Sequence, residues 1–470
     1  MSDSYDSEAV ALSDGMLRRE AGRLLIEDVP VDVLVERYSA PLFVISESAL
    51  RRRARRIRAA FERVWRHGEV HVLPAVKANP VVAVQRVLAQ EGLGADLVGA
   101  GELEVAVRAG IDPALISLNG TAKDYATIER AVALGARVTV DDVREIELAV
   151  MAARATGRQA DLRVRLRPHF ETDARMQAFG VPINDIYGTY KSGLPHDDLA
   201  AAGQALSAPE LRVSGAMMHM GRYTTDLSVI GGYAGRFGEL IAEVSQLWDG
   251  WTPRTIDVGG GFAPQVDGFG RADPDFVPPD PTPIERYAEV VCENLAEGLA
   301  RGGVDPRGRV LEVEPGRALF GPCGIHVATL LNVKRQTRPF PFTWYETDTS
   351  QLFLSEIPDE AARPPVIPVH LPGAGGLAEV RVVGRSCMSD VLARTAALPV
   401  MRPGDLLAFC FTGAYNDANA SNLNLLPRPA TVLVNGDQAH LVRRAENIGD
   451  LLARDTLPDH LRHPIAGAAR

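Results

Sequence analysis

Between Glu69 and Glu314 short apolar runs of strand length alternate with amphipathic stretches of helical period. The strand-like runs are Val70–Lys77, Ala95–Val98, Leu115–Asn119, Arg137–Val140, Leu162–Arg167, Val213–His219, Thr255–Val258 and Arg309–Glu314. Helical periodicity fills Gly101–Ala109, Lys123–Leu134, Val143–Ala155, Val229–Leu247 and Ile284–Ala300. Strands separated by helices over about 250 residues predict a (β/α)8 TIM barrel. A doubly wound sheet is the structural alternative, but the chain has no dinucleotide glycine fingerprint after its first strand.

Past Pro315 the period changes to that of strands. Ile325–Lys334, Phe342–Glu346, Val366–Leu371, Ala378–Val383, Leu406–Phe411 and Thr431–Arg443 are divided by Pro and Gly turns, and Asn435-Gly436 marks a hairpin. A C-terminal all-β domain is expected, joined by the N-terminal segment, where Gly22–Val33 reads as a short strand and turn. The expected division is 1–40 for that segment, 41–316 for the barrel and 317–470 for the β domain. Pro264–Pro283 reads as a long loop after the seventh strand, on the face where barrels carry their active sites.

Composition narrows the function. The chain has 470 residues, 46% of them hydrophobic and 23% charged, ample for a sizeable core. A formal charge of -10 argues against nonspecific binding to nucleic acid or an anionic membrane. Cys292, Cys323, Cys387 and Cys410 are too scattered for a disulfide framework or a zinc site, and read as reduced thiols. Met1–Asp14 lacks the apolar stretch of a signal peptide, and no run reaches membrane-span length, so a cytoplasmic location is expected.

Four sites fall at the C-terminal ends of expected barrel strands: Lys77, His219, Asp257–Phe262 and Glu314–Arg317. That end is the catalytic mouth of such barrels. A lysine there can form a Schiff base, although a single lysine is more often a solvated charge. Gly259, Gly260 and Gly261 can bring backbone amides close to phosphate oxygens; alone, they would read as a turn. Glu314 could pair with a protonated ring nitrogen, and Arg317 could hold a phosphate or carboxylate; the plainer reading is a Glu–Arg ion pair. His219 could stack on a planar cofactor or be a satisfied core histidine. Together the four suggest pyridoxal 5'-phosphate.

The motifs Val76-Lys77-Ala78-Asn79, His219-Met220-Gly221, Gly259-Gly260-Gly261-Phe262, Glu314-Pro315-Gly316-Arg317, Cys387 and Gly413-Ala414-Tyr415 occur in an order that resembles the barrel-type pyridoxal-phosphate decarboxylases of diaminopimelate, ornithine and arginine. Asp96 with Gly101-Glu102, and Phe179-Gly180, agree more weakly. Gly101-Glu102-Leu103, Asn119-Gly120 with Lys123, and Asp390-Val391-Leu392-Ala393 bring the diaminopimelate branch nearest. The resemblance implies that Lys77 carries the cofactor as an internal aldimine, with decarboxylation through a quinonoid. It implies that His219 stacks on the ring, Asp96 lies in the cofactor site, Gly260, Gly261 and Tyr415 contact phosphate, and Glu314 contacts the pyridine nitrogen. It also implies a head-to-tail homodimer with shared active sites, in which Cys387 of one copy serves as proton donor in the other.

Two departures bear on the substrate. Arg222, followed by Tyr223, stands where the family has a serine after His-x-Gly. The family's diaminopimelate enzymes carry Cys-Glu-Ser-Gly-Asp, whose Glu receives the distal amino group; here the run is Cys387-Met388-Ser389-Asp390. A thioether cannot bind ammonium by charge. Arg222, Arg317, Met388 and Asp390 are therefore the expected substrate-binding set, for an amino acid, free or carrier-linked, whose distal end is neutral or anionic. Alternatives are a pyridoxal-phosphate epimerase or racemase, which needs a second acid/base facing Lys77, and a non-catalytic binding relative, in which loss of Lys77 would be expected.

Overall fold

The computed structural model describes residues 9–11, 13–167, 191–219, 227–262, 283–354, 365–371 and 376–462. Eight parallel strands form the barrel: β1 Val70–Val72, β2 Ala95–Leu97, β3 Ile116–Leu118, β4 Arg137–Val140, β5 Ala160–Arg165, β6 Leu211–Met217, β7 Thr255–Asp257 and β8 Val310–Val313. They pair in sequence from β2 to β8, and β8 pairs with β1. Closure between β1 and β2 lies beyond the end of β1, through the Ala75–Asp96 bridge and the Asp96 N–H donated to Pro74 O at 3.0 Å.

Helices follow from local chemistry. Asp124 accepts the Thr127 N–H and Asp142 the Arg144 N–H, capping the starts of Tyr125–Leu134 and Val143–Thr156. Left-handed Gly110, Gly135 and Gly157 end three helices, as glycine does without steric cost. Glu47–Val64, capped by Ser46, buries Leu50, Ala54, Ile57 and Phe61 along one stripe.

The strands are buried on both faces, but the faces differ in chemistry. Residues such as Val138, Leu162, Val164, Ile256 and Leu311 are fully apolar and buried. Arg137, Arg163, Asp257 and Glu312, alternating with them, bond to one another and so fill the barrel's interior. Branched apolar residues usually dominate that space.

The β domain centres on Gly324–Gln336, which pairs with Phe342–Thr347, with Leu406–Cys410 and with Leu42–Ser46. Leu42–Ser46 also runs parallel to Ala430–Asn435. This strand, supplied from the chain's beginning and lying past residue 40, is one the sequence pattern did not single out; nor did it single out Val391–Pro399, which pairs with Leu377–Val383. The hairpin forms as expected, with Asn435 opposite Gln438. Before it, Leu17–Glu20, Arg23–Ile26 and Val29–Pro30 make a small antiparallel sheet. Arg23 bridges to His370 and the Gly436 N–H donates to Glu27, fastening this sheet to the β domain.

Candidate active site

Lys77 is not on a strand as expected. β1 ends at Val72, and Lys77 occupies the 3-10 turn Val76–Ala78. Pro74 has no N–H to donate, so pairing thins to single bonds, the last of them from the Ala75 N–H to Pro315 O at 3.2 Å, before the chain turns at Val76. The turn is tied to the β domain: Asn79 Nδ2 donates to Gly413 O at 2.9 Å, and the Tyr415 N–H donates to Ala78 O at 2.7 Å. Its backbone is fixed while the amine stands at the barrel mouth, with 43% of the side chain exposed.

Lys77 Nζ donates to Asp96 Oδ2 at 2.9 Å. Asp96 is nearly inaccessible, and its other oxygen accepts from Asn119 Nδ2 at 2.8 Å. The same Asn119 nitrogen bonds Glu314 Oε1. An unbroken chain thus runs from Lys77 through Asp96 and Asn119 to Glu314. The Asp96 carboxylate raises the Lys77 amine above the usual lysine range, overcoming burial. Burial, and then the adjoining Asp257 carboxyl, push Glu314 well above the usual carboxylate range. Among the described residues no cation forms a salt bridge with Glu314.

The glycines are required by packing. A Cβ on Gly260 would stand 2.2 Å from Glu314 O, and one on Gly259 would stand 2.9 Å from His219 Cα, with Gly259 at φ +69°. The tight turn thereby presses β7's end against His219 and Glu314, with Gly261, at φ +89°, beside it. His219 is half-buried, and burial followed by the Lys77 charge lowers its imidazole to about 3. It is neutral at physiological pH, suited to flank a flat ring.

On the other side of Lys77, the Arg317 guanidinium lies 5.2 Å from the centre of the Tyr415 ring. Tyr415 adopts φ +58°, and its hydroxyl reaches over Gly316, where a Cβ would meet it at 2.6 Å. Lys77, Asp96, His219, Gly260, Gly261, Glu314, Arg317 and Tyr415 accordingly surround one mouth.

Cys387 and Met388 are exposed on another loop. The Cys387 N–H donates to Asn424 Oδ1 at 3.0 Å, and Met388 Sδ accepts from Gln351 Nε2 at 3.4 Å. Asp390, expected to bind substrate, is instead buried: its carboxylate accepts from Ser350 Oγ at 3.0 Å, Gln351 N–H at 2.6 Å and Ser386 N–H at 2.7 Å. That geometry spends both oxygens on folding the loop. Arg222 and the Phe179-Gly180 pair lie outside the described residues.

Sequence reasoning passed over the interior beneath this mouth. Arg163 Nη1 bonds Asp257 Oδ2 at 2.5 Å and Ser117 Oγ at 2.9 Å, and its other terminal nitrogen pairs with Glu312. Glu312 also pairs with Arg137 and, at 3.3 Å, with His71. Burial raises the Glu312 carboxyl, but Arg163 and Arg137 outweigh it and hold the group at about 2. The available signal was charge at alternate positions in strands otherwise too apolar to face water.

The donor set fits pyridoxal phosphate: an accessible amine on a fixed turn, a bare glycine backbone, a neutral imidazole, and a buried carboxyl with no salt bridge among the described residues. A family model described as "Pyridoxal-dependent decarboxylase, pyridoxal binding domain" matches residues 47–321. Diaminopimelate decarboxylase of Actinosynnema pretiosum subsp. auranticum is 34% identical over 445 residues, covering 93% of this chain and 94% of that protein. The Zymomonas mobilis enzyme of the same name is 29% identical over 433 residues, covering 92% of this chain and 96% of the relative. Among solved structures, diaminopimelate decarboxylase from M. jannaschi superposes with TM-score 0.83 at 25% identity, covering 96% of this chain and all of the other. With the matched model covering more than half the chain, and a relative 34% identical along nearly all of it, this protein belongs to the family of pyridoxal-dependent decarboxylases.

Proposed function

We propose that this enzyme decarboxylates an amino acid at the Lys77 mouth, on a substrate whose distal end is neutral or anionic. The observation that carries the site assignment is the hydrogen-bonded chain Lys77–Asp96–Asn119–Glu314 at the C-terminal ends of the barrel strands. When bound, pyridoxal phosphate supplies the electron sink for loss of carbon dioxide. Lys77 would hold the cofactor through its amine, which Asp96 keeps in place. Glu314 would serve as proton partner of the ring nitrogen. His219, being neutral, would flank the ring and leave its charge to Glu314. The Gly260 and Gly261 amides, with Tyr415, would receive the phosphate, and Arg317 phosphate or substrate carboxylate.

Cys387 is exposed on the β domain, so its reading as proton donor rests on a second copy presenting it to the first copy's barrel, in a head-to-tail dimer. A thiol can donate a proton and be recharged by solvent. The loop that carries it offers no free acid, since Asp390 is committed internally and Met388 takes the family's acidic position. That supports a substrate without a distal ammonium, either free or attached through its distal end to a carrier. The expected setting is the cytoplasm. The test is carbon dioxide release across meso-diaminopimelate, ornithine, lysine, arginine and acidic amino acids. Lys77→Ala should abolish turnover, and rapid release from diaminopimelate alone would overturn the substrate reading.

A further inference from the structure

We propose that Arg163 is a positioning residue: it holds Asp257 as the ionised member of the Asp257–Glu314 carboxyl pair, leaving the pair's proton on Glu314, poised for transfer to a ring nitrogen. This rests on the reading of Glu314 as the ring-nitrogen partner, and it adds the device that readies Glu314 for that role.

The geometry has three parts. Asp257 ends β7 and Glu314 follows β8, the adjacent strand; Asp257 Oδ1 accepts the Gly259 N–H at 2.8 Å and the Glu314 N–H donates to Gly259 O at 2.8 Å, so one residue draws the two acids together and each acts on the other. Two carboxylates so placed, both removed from water, do not ionise together, so the pair keeps one proton. Arg163 then breaks the symmetry. It is wholly inaccessible, and it contacts Asp257 at 2.5 Å while no salt bridge joins it to Glu314 among the described residues. A second arm leaves the same nitrogen: Ser117 Oγ accepts from Arg163 and donates to Asn119 Oδ1 at 2.7 Å. That bond fixes which way the Asn119 amide points, so its Nδ2 faces Asp96 and Glu314.

The charges around Glu314 are consistent with this. Asp257 and Asp96 face it as acids and Lys77 as a cation, with Arg163 behind Asp257. Farther below, Glu312 is matched by Arg137, Arg163 and His71. Among the described residues that this bonded network joins, four acids, Asp96, Asp257, Glu312 and Glu314, stand against three permanent cations, Lys77, Arg137 and Arg163. A proton on Glu314 balances them. With the cofactor bound, transfer would break the Glu314 O–H bond and form one N–H bond, leaving the Glu314 carboxylate to balance the cation it creates.

The experiment is infrared difference spectroscopy of the full protein, stripped of cofactor and then reconstituted with pyridoxal phosphate, joined to steady-state kinetics. The stripped protein should show one buried carboxylic acid that Glu314→Gln removes and that disappears on reconstitution. Arg163→Gln should bring in a second carboxylic acid, from Asp257, because Glu312 keeps Arg137 but Asp257 has lost its cation. It should lower kcat at least about tenfold, the equivalent of one pKa unit at the ring nitrogen, with KM little changed. Arg163→Lys should restore the single acid and most of kcat. Should Arg163→Gln fail to fold, Asp257→Asn serves: burial still favours the neutral acid, but with the competing charge gone the Glu314 acid signal of the stripped protein should be lost at lower pH than in wild type. A stripped wild type with no buried acid, an Arg163→Gln protein matching wild type, or an acid signal unmoved by Asp257→Asn overturns the proposal. If Glu314→Gln leaves the cofactor's visible spectrum and kcat intact, the reading of Glu314 itself fails instead.

Discussion

Asp96→Asn isolates the charge that acts on Lys77. At the observed 2.9 Å, two unit charges attract by about 1.4 kcal/mol if screened as in bulk water, and by about 6 kcal/mol at the effective dielectric of ~20 near a protein surface. The Lys77 side chain is 43% exposed, which places the interaction toward the weaker end. A loss of about 1.4 kcal/mol corresponds to a fall of about one pKa unit in the amine. Because Asp96 holds Lys77 above its ordinary value, the amine in the variant gives up its proton at lower pH. Its reaction with pyridoxal phosphate, followed by absorbance against pH, should therefore shift its midpoint down by at least that unit. The amide keeps the side chain's shape, and Asn119 still has a carbonyl to bond. The stability this pair contributes is full below the ordinary lysine value and lost only as pH rises through the raised one, so wild type and variant should differ throughout the neutral range. A midpoint unchanged between wild type and Asp96→Asn would refute the assignment of Asp96 as the charge governing Lys77.

Other perturbations test separate features. Gly260→Ala places a Cβ 2.2 Å from Glu314 O, so it should cost roughly 1–3 kcal/mol in denaturant unfolding and weaken cofactor retention on dialysis. Met388→Glu should raise the carbon dioxide release rate from diaminopimelate relative to that from uncharged amino acids; no change in that ratio would place the distal pocket elsewhere. Tyr345 Oη donates to Pro399 O and accepts the Met401 N–H, both at 3.0 Å, so Tyr345→Phe should cost roughly 1–3 kcal/mol by leaving buried partners unmet, measured by thermal unfolding. With its imidazole held at about 3, His219 should give ring NMR signals that stay flat from pH 5 to 8, and a titration in that window would contradict its neutral placement.

The barrel was legible because its strands and helices each carry a local period, and the eight runs match the eight strands within a few residues at each end. Lys77 was misplaced on a strand because the apolar run continues through Pro74 and Val76, although the extended backbone gives way to a 3-10 turn at Val76. Leu42–Ser46 went unseen for another reason. Its partners, Gly324–Gln336 and Ala430–Asn435, lie hundreds of residues away, and five apolar residues after a proline do not choose between strand and helix. Motif order singled out the residues that gather at the mouth but not Arg163, since alternation tells which residues share a face but not whether that face is water or a barrel's interior. Asp390 was misjudged by type: an acid near a substrate loop looks available until its three donors are seen.

The ties from Asn79 to Gly413 and from Tyr415 to Ala78 set an order of events during synthesis. The turn bearing the reactive amine emerges early, but the backbone groups that clamp it come near the end of the chain. A ribosome that has finished the barrel has made every one of its eight strands, and still lacks the clasp. Fragments that stop short of Gly413 would leave the turn bearing Lys77 without the bonds that hold it.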